Sequence, residues 1–384
     1  MDVYPPRCSS GTTSQVGAVV WFHPGGFVWG NRTTIFPKWL QRRVNALGIA
    51  FISADYRLMP NGSVTAHDII EDVRDAFAFL RSTKFNSALE FLAAQGKLPF
   101  EKFRVDPEAI AVAGSSAGGT AAYFAAMHVS PKPAALLSLF ATGGDCLTPH
   151  YFAPKTKPFI HGRPLLDINK SKDYVYPFSP SVTSQVISDS PIAFNPPAGP
   201  GLPPLPANPK MLLGLLYLQL GTYLDYHTGQ HEPSLSAALR AAAEGGSDPE
   251  SPSSDYTNPL RSVIPPQHLA VFPQFNVDSS WPATLLIHGS EDTSVPVTES
   301  KRMYELLQEA GVLSRIRVVE GEHHFFDQPL GESSEAEDAE RERKFRNLFD
   351  DAASFLKRRI DAAQGRGTVQ TRERSRSRSR GRRQ

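Results

Sequence analysis

The sequence predicts an α/β protein with a doubly wound, mostly parallel sheet. Apolar runs of strand length alternate along the chain with stretches of helical periodicity. Strands covered by helices on both faces have such continuous apolar runs, and this alternation implies right-handed crossovers between parallel strands. Glycine-rich and polar clusters directly follow several of the runs. Because ligands bind beyond the carboxyl ends of parallel strands, these clusters mark the expected functional edge of the sheet.

The predicted elements are short and well separated. The strands are expected over residues 17–22, 48–54, 110–113, 134–140, 283–288 and 315–319. One helix is expected over 65–80, opened by Thr65 with Asp68 three residues later, which is the pattern of a capping box. Further helices are predicted over 120–128, 303–310 and 345–356.

A segment rich in proline, serine and glycine interrupts this pattern between residues 147 and 281. Residues 195–209 hold seven prolines and can form neither a helix nor a central strand. Helical stretches are predicted over 211–224 and 236–243. The side chains of the first stretch either line an acyl pocket or only pack the helix for stability. The side chains concerned are Leu212, Leu215, Leu216, Tyr217, Leu220, Tyr223 and Leu224.

We therefore divide the chain into four parts. They are a first part of the core (1–146), a proline-rich lid or cap insertion (147–281), a second part of the core (282–362) and an Arg/Ser-rich tail (363–384). Residues 371–384 contain seven arginines and one glutamate, a charge of +6 that leaves −5 on the rest of the chain. The tail is predicted to be disordered. It could contact RNA or be phosphorylated, but we favour a solvated tail without a catalytic role.

Composition argues against several classes of protein. Two cysteines cannot form a disulfide framework, and the amino terminus lacks the apolar region of a signal peptide. The longest apolar stretch, 211–224, is too short to span a bilayer. Tyr226, His227 and His231 have no acidic or cysteine ligand at matching spacing, so we expect no bound metal. The mildly acidic body indicates no nucleic-acid surface. These observations predict a cytoplasmic protein.

Residues 114–118, Gly-Ser-Ser-Ala-Gly, lie between the predicted strand 110–113 and the predicted helix 120–128. A G-x-S-x-G sequence in this strand–turn–helix context predicts a nucleophile elbow with Ser116 at its apex. Ser115 is excluded as the nucleophile, because its register would place Ala113 and Ala117 where the glycines belong. An ordinary turn made of small residues is the alternative interpretation.

A base and its orienting carboxylate are predicted further along the chain. Asp292 follows the strand 283–288 and is expected to orient a histidine. His323 and His324, which follow the last predicted strand, compete as the base. We favour His323, because the preceding Gly321 and the His-x-Phe pattern fit the expected loop. The order Ser, Asp, His along the chain is typical of this kind of site.

The turn after the first apolar strand, residues 23–26, has the sequence His-Pro-Gly-Gly. We predict that the backbone N–H groups of Gly25, Gly26 and Ala117 form an oxyanion hole. Pro24 has no N–H group, so the two glycines after it must supply the donors of this turn.

Together these motifs resemble the hormone-sensitive-lipase-like branch of the α/β-hydrolase superfamily, the fold-3 esterases. The resemblance rests on residues 23–26, the Asp-Tyr-Arg-Leu of 55–58, residues 114–118, the Gly-Ser-Glu-Asp of 289–292 and the Gly-Glu-His of 321–323. It covers about 1–145 and 282–360. It implies hydrolysis of small esters of short to medium acyl chain, without a cofactor, through a Ser-His-Asp triad and an acyl-enzyme.

Three departures from the family pattern stand out. Pro24 replaces a loop glycine, and Ser115 replaces an acidic residue that supports the elbow. Residues 3–4 resemble the end of the family's second strand, so the opening hairpin is expected to be missing. Three alternatives remain open: a non-catalytic small-molecule-binding protein on the same scaffold, a thioesterase or dehydratase variant of the family, and an RNA-associated protein acting through its tail.

Overall fold

The computed structural model describes seven stretches of the chain, with gaps between them. They are residues 1–6, 14–96, 103–160, 163–195, 206–245, 260–328 and 334–366. The Arg/Ser tract of the predicted tail and the centre of the proline-rich run at 195–209 lie outside the described residues. The statements below concern the described residues.

The described strands form one seven-stranded sheet in the order β1-β3-β2-β4-β5-β6-β7. Their bounds are β1 Asp2–Tyr4, β2 Ser14–Phe22, β3 Ala50–Ala54, β4 Phe103–Ser115, β5 Leu136–Leu139, β6 Thr284–Gly289 and β7 Ser314–Val319. All neighbouring strands are parallel except β1, which pairs antiparallel with β3 at one edge. The predicted doubly wound, mostly parallel sheet is therefore confirmed.

The described helices are α1 Lys38–Ala46, α2 Ala66–Arg81, α3 Thr83–Ala94, α4 Ala117–His128, α5 Pro149–Phe152, α6 Pro180–Thr183, α7 Leu213–Leu220, α8 Tyr223–Thr228, α9 Leu235–Gly245, α10 Thr298–Glu309 and α11 Glu335–Ala363. Of these, α5–α9 belong to the 147–281 segment, and the others flank the sheet. The capping box predicted at Thr65 and Asp68 is present. The prediction of a single helix over 211–224 was wrong. Gly221 adopts a left-handed conformation (φ 64°), which ends α7 before α8 begins.

Both faces of the sheet are buried, which explains the unbroken apolar runs. In β2, Val20 and Phe22 belong to the core formed with α2, α4 and helices of the 147–281 segment. Val19 and Trp21 point to the opposite face and pack with residues of α1 and α11. Alternate side chains of one strand thus enter two separate cores, as the period of two in a β-strand requires.

The 147–281 segment connects β5 to β6 and is tied to the core by a buried lysine. Lys210 is 5% exposed. Its ammonium group donates hydrogen bonds to the carbonyl oxygen of Met59 (3.0 Å) and to Oδ1 of Asn61 (2.6 Å). These bonds fix the start of α7 over the loop that follows β3.

The Gly118→Ala variant is expected to unfold at a lower temperature than the wild type. A Cβ at this position would lie 2.1 Å from the carbonyl oxygen of Phe22 and 2.5 Å from that of His23, so helix and strand would have to separate. Overpacking of this kind costs about 1–3 kcal/mol. Thermal unfolding followed by circular dichroism measures the effect.

Gly245→Ala is the matched control, because a Cβ there would meet nothing within 4 Å. We expect its melting temperature to equal that of the wild type. Equal melting temperatures for the Gly118 and Gly245 variants would show that the close approach of α4 to β2 does not constrain the fold.

Candidate functional site

Ser116 lies at the sharp turn between β4 and α4. Its backbone has φ 53° and ψ −126°, a conformation that non-glycine residues rarely adopt. Its N–H donates to the carbonyl oxygen of Leu139 at 2.9 Å. A Cβ on Gly114 would lie 2.0 Å from the carbonyl oxygen of Gly118, so both flanking positions have room only for glycine. The strand–turn–helix geometry predicted for this segment is present.

Two hydrogen bonds connect Ser116 through a histidine to Asp292. The Nε2 atom of His324 is 3.1 Å from the Ser116 hydroxyl oxygen, and its Nδ1 atom is 2.6 Å from Oδ2 of Asp292. Because a carboxylate only accepts hydrogen bonds, Nδ1 carries the proton and Nε2 is left to accept from the serine hydroxyl. This tautomer has the free nitrogen needed to remove a proton from Ser116.

The structure brings His324, and not His323, to Ser116. His323 is exposed, and its Nδ1 atom is 2.8 Å from the carbonyl oxygen of Glu291. The neighbouring Glu322 carbonyl accepts from the N–H of Glu291 at 2.9 Å. These two contacts hold His323 against the loop after β6, while the next side chain along the chain turns toward Ser116. Our choice of His323 is therefore corrected to His324, the competing histidine.

Asp292 is buried and fully hydrogen-bonded. Its Oδ1 atom accepts from the N–H groups of Ser294 and Val295, both at 2.9 Å. Burial alone would raise the pKa of this carboxyl group. The electrostatic attraction and hydrogen bonds of His324 and His288 outweigh burial and hold the Asp292 pKa well below its usual range. Asp292 is therefore ionised at neutral pH.

His288 is a residue of the site that the sequence motifs did not identify. Its ring is fully buried, and its Nε2 atom lies 3.2 Å from Oδ2 of Asp292. The same nitrogen lies 2.9 Å from the carbonyl oxygen of Val295, so it carries a proton. Nδ1 is 2.8 Å from the hydroxyl of Ser300. His288 thus contacts the Asp292 carboxylate through its Nε2 atom and helps to hold it in place. The sequence signal that could have identified His288 is its position four residues before Asp292.

The His-Pro-Gly-Gly turn lies beside Ser116. Gly25 and Gly26 have φ of 124° and 61°, and both line the same cavity as Ser116 and Ala117. A Cβ on Gly25 would lie 2.0 Å from the carbonyl oxygen of Trp29. Within the described part of the chain, the N–H groups of Gly25 and Gly26 donate to no other group, so both are available to an incoming oxyanion.

His23 fixes the start of this turn. Its Nδ1 atom is 2.7 Å from the carbonyl oxygen of Pro24, and its ring stacks on Tyr56 with centroids 4.2 Å apart. Burial lowers the pKa of His23 to about 4, so its ring is neutral at physiological pH. His23 therefore forms its hydrogen bond within its own loop.

A cavity of about 330 Å³ opens above Ser116. The 147–281 segment supplies much of its wall. The residues concerned are Tyr151, Ile160, Arg163, Phe194, Pro206, Met211, Leu212, Gly214, Leu215, Leu218 and Tyr223. Of the side chains considered for an acyl pocket, Leu212, Leu215 and Tyr223 line this cavity. Leu216, Tyr217 and Leu224 are instead buried in the core, at 1% exposure or less.

The described part of the chain contains no cluster of three or more His, Cys, Asp or Glu side chains that could hold a metal ion. His227 bonds to the carbonyl oxygen of Val271 at 3.0 Å, and His231 stacks on Tyr176. None of the described helices has the length and apolar character needed to cross a membrane.

Comparisons with known proteins agree with this geometry. Residues 19–189 match a family model described as alpha/beta hydrolase fold, and residues 254–348 match the prolyl oligopeptidase family. A Staphylococcus aureus protein of unknown function is 14% identical with a TM-score of 0.51, covering 92% of this chain and 94% of that one. An Enterococcus faecalis α/β-hydrolase superfamily protein is 13% identical with a TM-score of 0.50, covering 92% and 93%. These similarities show that the chain has the α/β-hydrolase fold, as its motifs predicted.

Curated relatives point to a further group of proteins. The chain is 26% identical over 363 residues to a non-reducing polyketide synthase of Aspergillus calidoustus, covering 88% of this chain and 13% of the synthase. It is 27% identical over 337 residues to one from Emericella nidulans, covering 85% and 12%. The chain thus spans about an eighth of the length of these relatives.

The buried carboxyl group of Glu299 holds a loop that adjoins the cavity. Oε2 of Glu299 accepts from the N–H groups of Gly143 (3.0 Å) and Asp145 (2.7 Å), in the loop that begins with the cavity residue Thr142. Burial raises the pKa of Glu299 from 4.5 to about 7, against the opposing effect of these hydrogen bonds.

Glu299→Gln is expected to weaken the pH dependence of stability. The folded protein binds the Glu299 proton more tightly than the unfolded chain, so this contribution is complete below pH 4.5 and is lost as pH rises through about 7. Between pH 5 and pH 8 the wild type should lose about 1–3 kcal/mol of unfolding free energy more than the variant. Urea unfolding at a series of pH values measures this difference.

The control is Glu309→Gln, which changes an exposed glutamate at the end of the same helix, α10. Its stability should follow the wild-type pH dependence. Parallel stability curves for the wild type and the Glu299 variant would contradict the proton uptake assigned to Glu299.

Proposed function

We propose that this protein is a serine hydrolase that cleaves small-molecule carboxylic esters of short to medium acyl chain through an acyl-enzyme. The observation that carries the proposal is the hydrogen-bonded series Ser116–His324–Asp292 at the base of an apolar cavity. A nucleophile, a base and an orienting carboxylate in this arrangement are the components of a catalytic triad. The α/β-hydrolase fold supports a hydrolase in general.

In the acylation step, the Ser116 hydroxyl oxygen bonds to the ester carbonyl carbon while His324 Nε2 takes the hydroxyl proton. The ionised Asp292 stabilises the imidazolium that forms. The carbonyl oxygen becomes an oxyanion, which accepts hydrogen bonds from the N–H groups of Gly25, Gly26 and Ala117. His324 then gives its proton to the leaving alcohol as the carbon–oxygen bond breaks, and the acyl group remains on Ser116.

Deacylation repeats these roles with water. His324 Nε2 removes a proton from a water molecule, whose oxygen bonds to the acyl carbon and again generates an oxyanion at the same donors. When this intermediate collapses, the bond to Ser116 breaks and His324 returns the proton to the serine oxygen. The products are a carboxylic acid and the free enzyme.

The size of the cavity supports the proposed substrate class. A volume of about 330 Å³ lies at the lower end of the range for small-molecule pockets. Its walls are mostly aliphatic and aromatic, which favours an apolar acyl group over a polar one. We propose that the 147–281 segment acts as the lid or cap that selects this group.

A thioester of a polyketide-type acid is a second candidate substrate, favoured by the similarity to polyketide synthases. The same triad would act on it, with a thiol in place of the leaving alcohol. The ratio of kcat/KM for S-phenyl thiobutyrate to that for phenyl butyrate separates the two candidates. A ratio well above that of the uncatalysed reactions would favour the thioester.

Ser116→Ala is expected to abolish hydrolysis of p-nitrophenyl butyrate. Removing the nucleophile of a triad costs on the order of 10⁶ in kcat. Ser115→Ala is the matched control one residue earlier, and it should keep turnover within about tenfold of the wild type, since a residue outside a triad lacks that cost. Full activity in the Ser116 variant, or no activity in the folded wild type on a panel of esters, would contradict the proposal. The latter result would favour a binding protein.

Replacing each histidine separately tests the assignment of the base. His324→Ala should lower kcat on p-nitrophenyl butyrate by about 10⁴–10⁶, because among the described residues His324 is the base hydrogen-bonded to the Ser116 hydroxyl. His323→Ala removes a ring whose Nδ1 atom contacts the Glu291 carbonyl. It should change kcat by less than about tenfold, since His323 lies outside the proposed triad. A larger loss in the His323 variant would show that the two roles are reversed.

A further inference from the structure

We propose that Arg163 makes the site selective for acyl esters or thioesters that carry an anionic group, a carboxylate or a phosphate, at the rim of the cavity. This inference rests on the proposed function and adds a substrate class to it. It identifies Arg163 as a specificity-determining residue that contacts the substrate away from the reacting carbon.

Arg163 differs in charge from the rest of the cavity. Among the described residues that line it, Arg163 alone carries a permanent charge. The other walls are aliphatic, aromatic or hydroxyl-bearing. Arg163 is exposed, whereas Ser116 is 7% exposed and Ile160, which also lines the wall, is 8% exposed. Arg163 therefore lies where the cavity meets solvent, and the apolar part lies deeper.

The Arg163 guanidinium has no acidic partner within the described part of the chain. Arg32, Arg43 and Arg57, by contrast, each pair with carboxylates. Residues 161–162 and 196–205, which adjoin lining residues in the sequence, contain no aspartate or glutamate. A cation that the described residues leave unneutralised beside a substrate cavity is available to an anion on the substrate.

The local charge strengthens this preference. Residues 153–163 contain Lys155, Lys157 and Arg163 and no acidic residue. The N–H of Arg163 donates to the carbonyl oxygen of Ile160 at 2.9 Å, which fixes its backbone next to the cavity wall. A turn held in this way keeps the base of the long side chain at the rim and limits the directions in which its guanidinium can extend.

Arginine suits the anion that we infer. Its planar guanidinium presents parallel N–H donors that match a carboxylate or a phosphate in a two-point contact. The apolar cavity would hold the uncharged part of the substrate, while its anionic end stays partly hydrated at the rim. A contact of this kind lowers KM more than it raises kcat, because it is present equally in the ground and transition states.

The test compares two pairs of substrates that differ in one anionic group. For a carboxylate on the acyl end, the pair is p-nitrophenyl butyrate and mono-p-nitrophenyl glutarate. For a phosphate on the leaving group, it is S-butyryl-pantetheine and S-butyryl-4′-phosphopantetheine. The variant is Arg163→Gln in the full chain, and the ratio of kcat/KM for the anionic to the neutral member is measured for each pair.

Arg163→Gln should lower the ratio of kcat/KM for the anionic to the neutral substrate roughly tenfold for at least one pair, as expected for the loss of a charge-assisted hydrogen bond. The change should appear in KM. The pair that responds identifies the anion. Lys157→Gln, which removes an exposed charge from the same segment but lies outside the cavity lining, should change the ratio less than twofold. Arg163→Lys should recover part of the preference, since it restores charge without the two-point geometry.

Turnover with an unchanged ratio in the Arg163→Gln variant, for both pairs, would overturn this inference and leave the proposed function intact. A loss of equal size in the Lys157 variant would also overturn it, because general surface charge would then explain the effect. Absence of turnover of all four compounds by the folded wild type would overturn the proposed function and, with it, this inference.

Discussion

The close approach of Gly118 to the carbonyl oxygens of Phe22 and His23 is the constraint on which the site depends. It lets α4 begin directly beside the end of β2. Because Phe22 pairs with Gly114 in the parallel register of β2 and β4, the serine turn and the glycine turn end at the same level. The nucleophile and the proposed oxyanion donors are thus positioned by the register of the sheet.

This arrangement requires a strained backbone at Ser116, which costs on the order of 1–3 kcal/mol. Packing around the turn offsets the strain. The N–H of Ser116 bonds to Leu139 at the end of β5, and α4 is buried along most of its length. A rigid turn of this kind keeps the hydroxyl group pointing into the cavity in the absence of a substrate, so little reorganisation is needed when one binds.

The proposed orienting carboxylate, Asp292, and the proposed base, His324, are held by two loops that pack on each other. A Cβ on Gly289, at the end of β6, would lie 2.3 Å from the carbonyl oxygen of Glu322 in the loop after β7. This proximity brings Asp292 and His324 together although 31 residues separate them in the sequence. His288 and two backbone amides then fix the carboxylate. The site is therefore built from loops whose positions are set by neighbouring parallel strands.

Much of this organisation could be predicted from the sequence, because it depends on local patterns. The apolar runs predicted the parallel strands, and the glycines on either side of Ser116 predicted the turn. The choice between His323 and His324 depends on which way one loop turns, and adjacent residues give almost the same local signal. The antiparallel pairing of β1 depends on a distant strand and has no local pattern. The break between α7 and α8 could have been predicted, because Gly221 is a glycine within an apolar stretch and glycine commonly ends a helix.

Labelling with a fluorophosphonate, followed by mass-spectrometric mapping of the modified peptide, tests the central claim most directly. The assignment of Ser116 as the nucleophile predicts one adduct, on Ser116. With His324 as the base, the assignment also predicts that labelling is lost in His324→Ala and kept in His323→Ala, because His324 is hydrogen-bonded to the Ser116 hydroxyl. An adduct on another residue, unmodified but folded wild-type protein, or labelling of the His324 variant at the wild-type rate would contradict it.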